Sequence, residues 1–244
     1  MVLDLLGYGN NEPEELIEVF KKICCQECQE DGLSFSPESV KGHKIKEGEE
    51  YEGVKVTLWA NLKGARIKVE VEIDIGFGDT VTPAAVEMEL PIFGFLNLPL
   101  ASLRTYRQET LVAEKFQAMV FLGIMNSRLK DFYDIWYLSK TSEFQGALLC
   151  KAIKATFEQR NTPLPIKEPF AFTDDFAKDP DKQKQWTTFL KSTKPKLENP
   201  ILSEVIAEIR SFLMPPCSAA AQQKEFNQHW CPEKTWYLAE PNGS

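Results

Sequence analysis

The sequence predicts an α+β protein, with strands first and helices after. Three observations predict it. Two runs with a two-residue period lie close together between residues 54 and 75. Every long patterned run after residue 106 has the helical period instead. No strand pattern alternates with a helix pattern, so a βαβ array is not expected.

The first element is a helix over about 12–24, where Leu16, Ile17, Phe20 and Ile23 recur at helical spacing and Pro13 suits the first turn. A polar stretch follows to about Glu50 and shows no element. Val54, Val56, Leu58 and Ala60 then alternate with Lys55, Thr57 and Trp59. Asn61 to Gly64 supplies turn chemistry. Ile67, Val69, Val71, Ile73 and Ile75 alternate with Arg66, Lys68, Glu70, Glu72 and Asp74, and Gly76-Phe77-Gly78-Asp79 breaks the run. Together these predict a β-hairpin with one apolar and one polar face. Leu111, Val112, Phe116, Met119 and Val120 predict a helix over 108–123. Ser127 is placed to cap a second helix carrying Phe132, Ile135, Trp136 and Leu138. A third is expected over about 143–159, a fourth from Pro180 to about Lys191, and a last from Pro200 to a stop at Pro215-Pro216. The expected organisation is therefore a core over 1–105, a helical domain over 106–216 and a tail over 217–244.

Composition narrows the function. Hydrophobic residues make up 43% and charged residues 26%, an ordinary globular balance. The net charge of −8 argues against a broad basic surface for nucleic acid or anionic membrane, although a local groove for phosphates stays open. No apolar run is long enough to span a membrane, and the start lacks the basic residues of a secretory leader, so a cytoplasmic location is expected. Cys24, Cys25 and Cys28 resemble half a metal site, but no second Cys or His pair follows at zinc spacing; plain thiols are the expectation.

Three features could carry chemistry. Asp74 stands near the end of the second hairpin strand, on a face shared with Glu70 and Glu72. A row of carboxylates there is either a solvated surface or a platform for magnesium, which wants several oxygen ligands on a rigid element. Asp131 and Asp134, three apart, share one face at the start of a helix, where acidic residues also simply stabilise the helix dipole. Lys115 sits among apolar neighbours, where a lysine commonly snorkels to the surface.

In their order along the chain, four segments resemble the AbiEii/AbiGii-type nucleotidyltransferase toxins. They are Asp4-Leu5-Leu6-Gly7, Val71 to Asp79, Glu109 to Lys115, and Arg128-Leu129-Lys130-Asp131-Phe132-Tyr133-Asp134. The resemblance implies a polymerase-β-like nucleotidyltransferase core with a mixed sheet, followed by helices. It also implies a toxin of a bacterial toxin–antitoxin or phage-defence system. Asp4 matches the second Asp of a metal-binding pair, with Val2 where the first is expected. A Gly-rich phosphate-binding segment would lie upstream of Met1, so the first motif is expected to be incomplete. Asp74 matches the third metal carboxylate, Lys115 the lysine facing the nucleotide, and Asp131 the catalytic Asp, with Lys130 and Asp134 beside it.

The resemblance further implies Mg2+ (two ions in an intact member) and a nucleoside triphosphate substrate, with RNA or another acceptor and a cognate antitoxin as partners. Such chemistry suits these residue types, because magnesium held by carboxylates neutralises charge gathering on the phosphoryl oxygens, and a lysine holds the triphosphate. Two alternatives stand beside an active enzyme. One is a catalytically impaired remnant that binds a partner on the same scaffold. The other is an unrelated α+β binding protein.

Overall fold

The computed structural model describes residues 2–26, 32–47, 50–77, 82–89, 102–193 and 200–238. Gly78, Asp79 and Cys28 lie outside the described residues. The chain divides into two compact units, one formed by Met1–Asp79 with Glu89–Leu103, the other by Thr80–Met88 with Arg104–Ser244.

The first unit is a mixed sheet with one helix packed on it. Strand β1 (Val2–Gly7) is followed by helix α1 (Pro13–Cys24), then β2 (Leu33–Phe35), β3 (Lys41–Glu47), β4 (Glu50–Leu62) and β5 (Lys68–Phe77). The sheet order is β1-β5-β4-β2, with β3 also pairing along β4. The β4–β5 hairpin is the one the alternation predicts. Its register sets Val54 against Ile75, Val56 against Ile73 and Leu58 against Val71. With Phe20 and Val40 these residues form the core, and Leu16 and Ile17 of α1 close it. Gly53, opposite Gly76, marks a close strand approach: a Cβ there would lie 2.5 Å from the Ile75 carbonyl oxygen.

The polar stretch before residue 50, for which no element is expected, contains β2 and β3. β2 is only three residues long and exposed throughout, and β3 does not alternate. Backbone pairing to the long strand β4, rather than an apolar face of their own, holds them.

A two-stranded ribbon, β6 (Val86–Glu89) with β7 (Ser102–Thr105), precedes the helices. The helices are α2 (Gln108–Leu122), α3 (Leu129–Thr141), α4 (Gly146–Gln159), α5 (Asp174–Lys178), α6 (Pro180–Thr193) and α7 (Leu202–Ala221). Short strands β8 (Phe144–Gln145), β9 (Gln228–Cys231) and β10 (Thr235–Leu238) make a small sheet in the order β10-β9-β8. Phe116, Phe132, Phe157, Phe172, Phe212 and Trp230 are fully buried in one continuous core.

Several boundaries differ from expectation, each for a physical reason. Leu111 points outward, and the buried stripe of α2 is Val112, Ala113, Phe116 and Met119. Ser127 does not cap α3; Asn126 Oδ1 accepts the Arg128 N–H at 2.8 Å instead. Phe144, read as the start of a helix, is a strand residue paired with Trp230.

The largest difference is at Pro215-Pro216, which do not end the last helix. Helix α7 runs through them to Ala221. Pro216 lacks the N–H that would bond the Phe212 carbonyl one turn back. Trp236 Nε1 donates to that carbonyl at 2.9 Å, so a side chain from β10 replaces the missing helical donor. Pro216, Cys217 and Ala220 are all buried. The residues after 216 thus take part in the core of the helical unit.

Candidate active site

The expected site residues fall into two groups, one in each unit. In the first, β1 runs parallel to β5, and Asp4 is the direct register partner of Asp74. Paired residues on neighbouring strands put their side chains on the same face, about 4.8 Å apart at the backbone. Burial of Ile73 and Ile75 against α1 forces Asp74 to the opposite face. Asp4 is exposed there.

The same register places Lys55 opposite Asp74 on the other side, from β4. Its Nζ donates to Glu72 Oε2 at 3.2 Å and lies 3.3 Å from Asp74 Oδ1. The second contact has the distance of an ion pair but not the alignment of a hydrogen bond. Asp74 Oδ1 is shielded from solvent and accepts no hydrogen bond among the described residues. The Glu72 carboxylate, and then that of Asp74, hold the Lys55 ammonium above the usual lysine range.

Sequence reasoning grouped Glu72 with Asp74 but missed Lys55. Counting back from the turn would have found it, since Asn61 pairs with Lys68 and each step along one strand is a step along the other.

The second group joins α2 and α3. Lys115 and Asp131 are 16 positions apart, and Lys115 Nζ donates to Asp131 Oδ1 at 2.5 Å. It also lies 2.8 Å from Asp134 Oδ2. Burial opposes the charge on Lys115, but Asp131, followed by Asp134, outweighs it, and the ammonium is held above its usual range. Local rules set the direction of each side chain on its own helix. Lys115 follows the buried Val112 and Ala113 and precedes Phe116, at the margin of the apolar stripe of α2. Asp131 and Asp134 lie on one face of α3, Asp131 in its first turn, where the helix dipole favours an anion. Lys130 is mostly exposed and reaches Asp134 at 2.6 Å, one helical turn away.

Magnesium fits the first group in a limited way. Among the described residues no group of three or more His, Cys, Asp or Glu is placed to hold a metal ion. Asp4 and Asp74 nevertheless present two carboxylates in register, and one Asp74 oxygen is shielded and without a hydrogen bond. Magnesium is commonly held by one or two carboxylates, with water and substrate phosphates completing its shell. Cys24 is half-buried and Cys25 exposed, and burial raises the Cys24 thiol. Among the described residues no helix is long and apolar enough to cross a membrane.

A mixed sheet with one helix packed on it in one unit, and a helical core with a small antiparallel sheet in the other, define an α+β protein. The chain belongs to the nucleotidyl transferase AbiEii toxin family of type IV toxin–antitoxin systems, whose family model matches residues 3–213. No curated protein matches the sequence. Among solved structures, the chain is similar to JHP933 from Helicobacter pylori, at 16% identity over 91% of this chain and 75% of that one, with a TM-score of 0.44. It is also similar to MenT4, a nucleotidyltransferase toxin from Mycobacterium tuberculosis H37Rv, at 12% identity over 90% and 72%, with a TM-score of 0.49.

Proposed function

We propose that this protein transfers a nucleotide from a nucleoside triphosphate to an RNA acceptor, and that it acts in the cytoplasm as the toxin of a toxin–antitoxin or phage-defence pair. The observation that carries the proposal is the parallel register of Asp4 with Asp74, which gives two carboxylates on one face of a rigid sheet.

In this proposal Asp4 and Asp74 hold Mg2+, which supplies charge neutralisation at the triphosphate. Lys115 holds phosphate oxygens as a point charge. In the structure its ammonium is held by Asp131 and Asp134, an arrangement that fixes its position and keeps it protonated. Asp131 orients Lys115 and is the candidate proton acceptor for the attacking hydroxyl. Lys130 and Asp134 complete the cluster, Lys130 from the exposed side.

The test uses the full chain with Mg2+, total RNA and each of four nucleoside triphosphates labelled at the α-phosphate. Label entering RNA from at least one of them is the expected outcome. Asp74→Asn and Lys115→Ala should each reduce it by about a hundredfold or more, the scale of losing one preorganised electrostatic group. A folded chain that labels no acceptor would remove the enzymatic reading and leave a partner-binding scaffold.

A further inference from the structure

We propose that Lys55 is a built-in competitor for the divalent cation: its ammonium occupies the Asp74 and Glu72 carboxylates and has to leave before a metal ion can bind at Asp4 and Asp74. The inference rests on the metal role proposed above for that pair and adds a residue that none of the four motifs contains.

Asp74 lies between two strands, with Asp4 its register partner on β1 and Lys55 its register partner on β4. All three side chains share the face opposite Ile73 and Ile75, because paired residues point the same way. Lys55 Nζ stands 3.3 Å from Asp74 Oδ1, the oxygen that is shielded from solvent and accepts no hydrogen bond among the described residues. A cation bound to that oxygen at about 2.1 Å, the magnesium–oxygen distance, would face the ammonium at close range. Two positive charges there repel each other, so the ammonium has to move. It can do so at low cost. Lys55 is a long flexible side chain, 27% exposed, and its better-aligned bond goes to Glu72 rather than Asp74. The same face thus has two states: a lysine-neutralised state without metal, and a metal-bound state with the lysine displaced.

The test measures Mn2+ affinity of the full chain by the electron paramagnetic resonance of free Mn2+, in the wild type, Lys55→Gln and Lys44→Gln. Lys44 is a control: it pairs with Glu12 and its register partner is the core residue Val54, so it lies on the other face. Lys55→Gln should bind Mn2+ about tenfold more tightly, the scale expected for removing one nearby charge at partial exposure. Lys44→Gln should match the wild type.

Equal affinity in all three proteins would overturn the competition while leaving the metal pair in place. Weaker binding by Lys55→Gln would also overturn it, by showing that the lysine positions the carboxylates. No Mn2+ binding in any of them would overturn the metal role and this inference with it. A measurement on the wild type needs no variant: in crystals soaked with Mn2+, anomalous density beside Asp74 should accompany a Lys55 ammonium that has left Asp74. Metal at Asp74 with the ammonium still about 3.3 Å from Oδ1 would overturn the proposal.

Discussion

Lys55 and Lys115 each stand between two carboxylates, but in different surroundings. Lys55 lies on an open sheet face and spans Glu72 and Asp74 from a neighbouring strand. Lys115 lies between two helices, with only 15% of its side chain exposed, and spans Asp131 and Asp134. The residue types are the same and the consequences differ. Water screens the first arrangement, so its partners can be exchanged at little cost. The second is mostly withdrawn from water, and removing one member leaves a charge poorly compensated. The cores differ in the same sense. The sheet unit buries a small cluster around Phe20, whereas the helical unit buries a continuous aromatic core around Phe116, Phe132 and Phe212.

The comparison is sharpest where the helical core is cut. Phe212 is fully buried and packs against Phe144, Trp230 and Trp236, so Phe212→Ala should cost about 3–5 kcal/mol. Chemical denaturation followed by tryptophan fluorescence would read it, and a loss below about 1 kcal/mol would mean that this packing is not what holds the unit together.

Next in size is the enclosed ion cluster. Lys115→Met should cost about 2–3 kcal/mol by stranding Asp131, and adding Asp131→Asn should recover part of that loss. Without recovery in the double variant, the two side chains are not energetically coupled.

Alkaline pH should weaken the helical unit in two steps. Burial pushes the Cys217 thiol up to about 12 from its ordinary 9.0. The unfolded chain therefore releases this proton first, and stability falls as pH rises above 9. Lys115, with a folded value raised above 10.5, contributes stability that is intact below 10.5 and is lost as pH rises through the higher folded value. Denaturation midpoints between pH 8 and 11 should fall, with a shallower fall in Cys217→Ala. An unchanged slope in that variant would remove the thiol from the account.

The smallest stability effect belongs to the open face. Lys55→Gln should change folding stability by less than about 1 kcal/mol, since its ion pairs are solvent-screened. A larger loss would show that Lys55 is structural and would erase the contrast with Lys115.

What the sequence by itself determined is what period and local chemistry control. The alternation from Val54 to Ile75 sets the hairpin, and with it the polar face on which Asp74 stands. Helical spacing sets α1 and α2, and a proline at the first turn sets α6, each to within a residue or two. The lysine and the two aspartates of α2 and α3 were legible through their order along the chain, although no local rule brings Lys115 onto Asp131.

Tertiary structure decided the rest, because there the stabilising partner is distant in sequence. β2 and β3 exist because β4 offers them a backbone edge. Phe144 is a strand residue because Trp230, far along the chain, pairs with it. Helix α7 passes Pro216 because the Trp236 indole supplies the Phe212 carbonyl with the hydrogen bond that this proline cannot. Lys55 faces Asp74 only once the hairpin register is closed, and β1 brings Asp4 to the other side of Asp74 through a parallel pairing that no local pattern encodes.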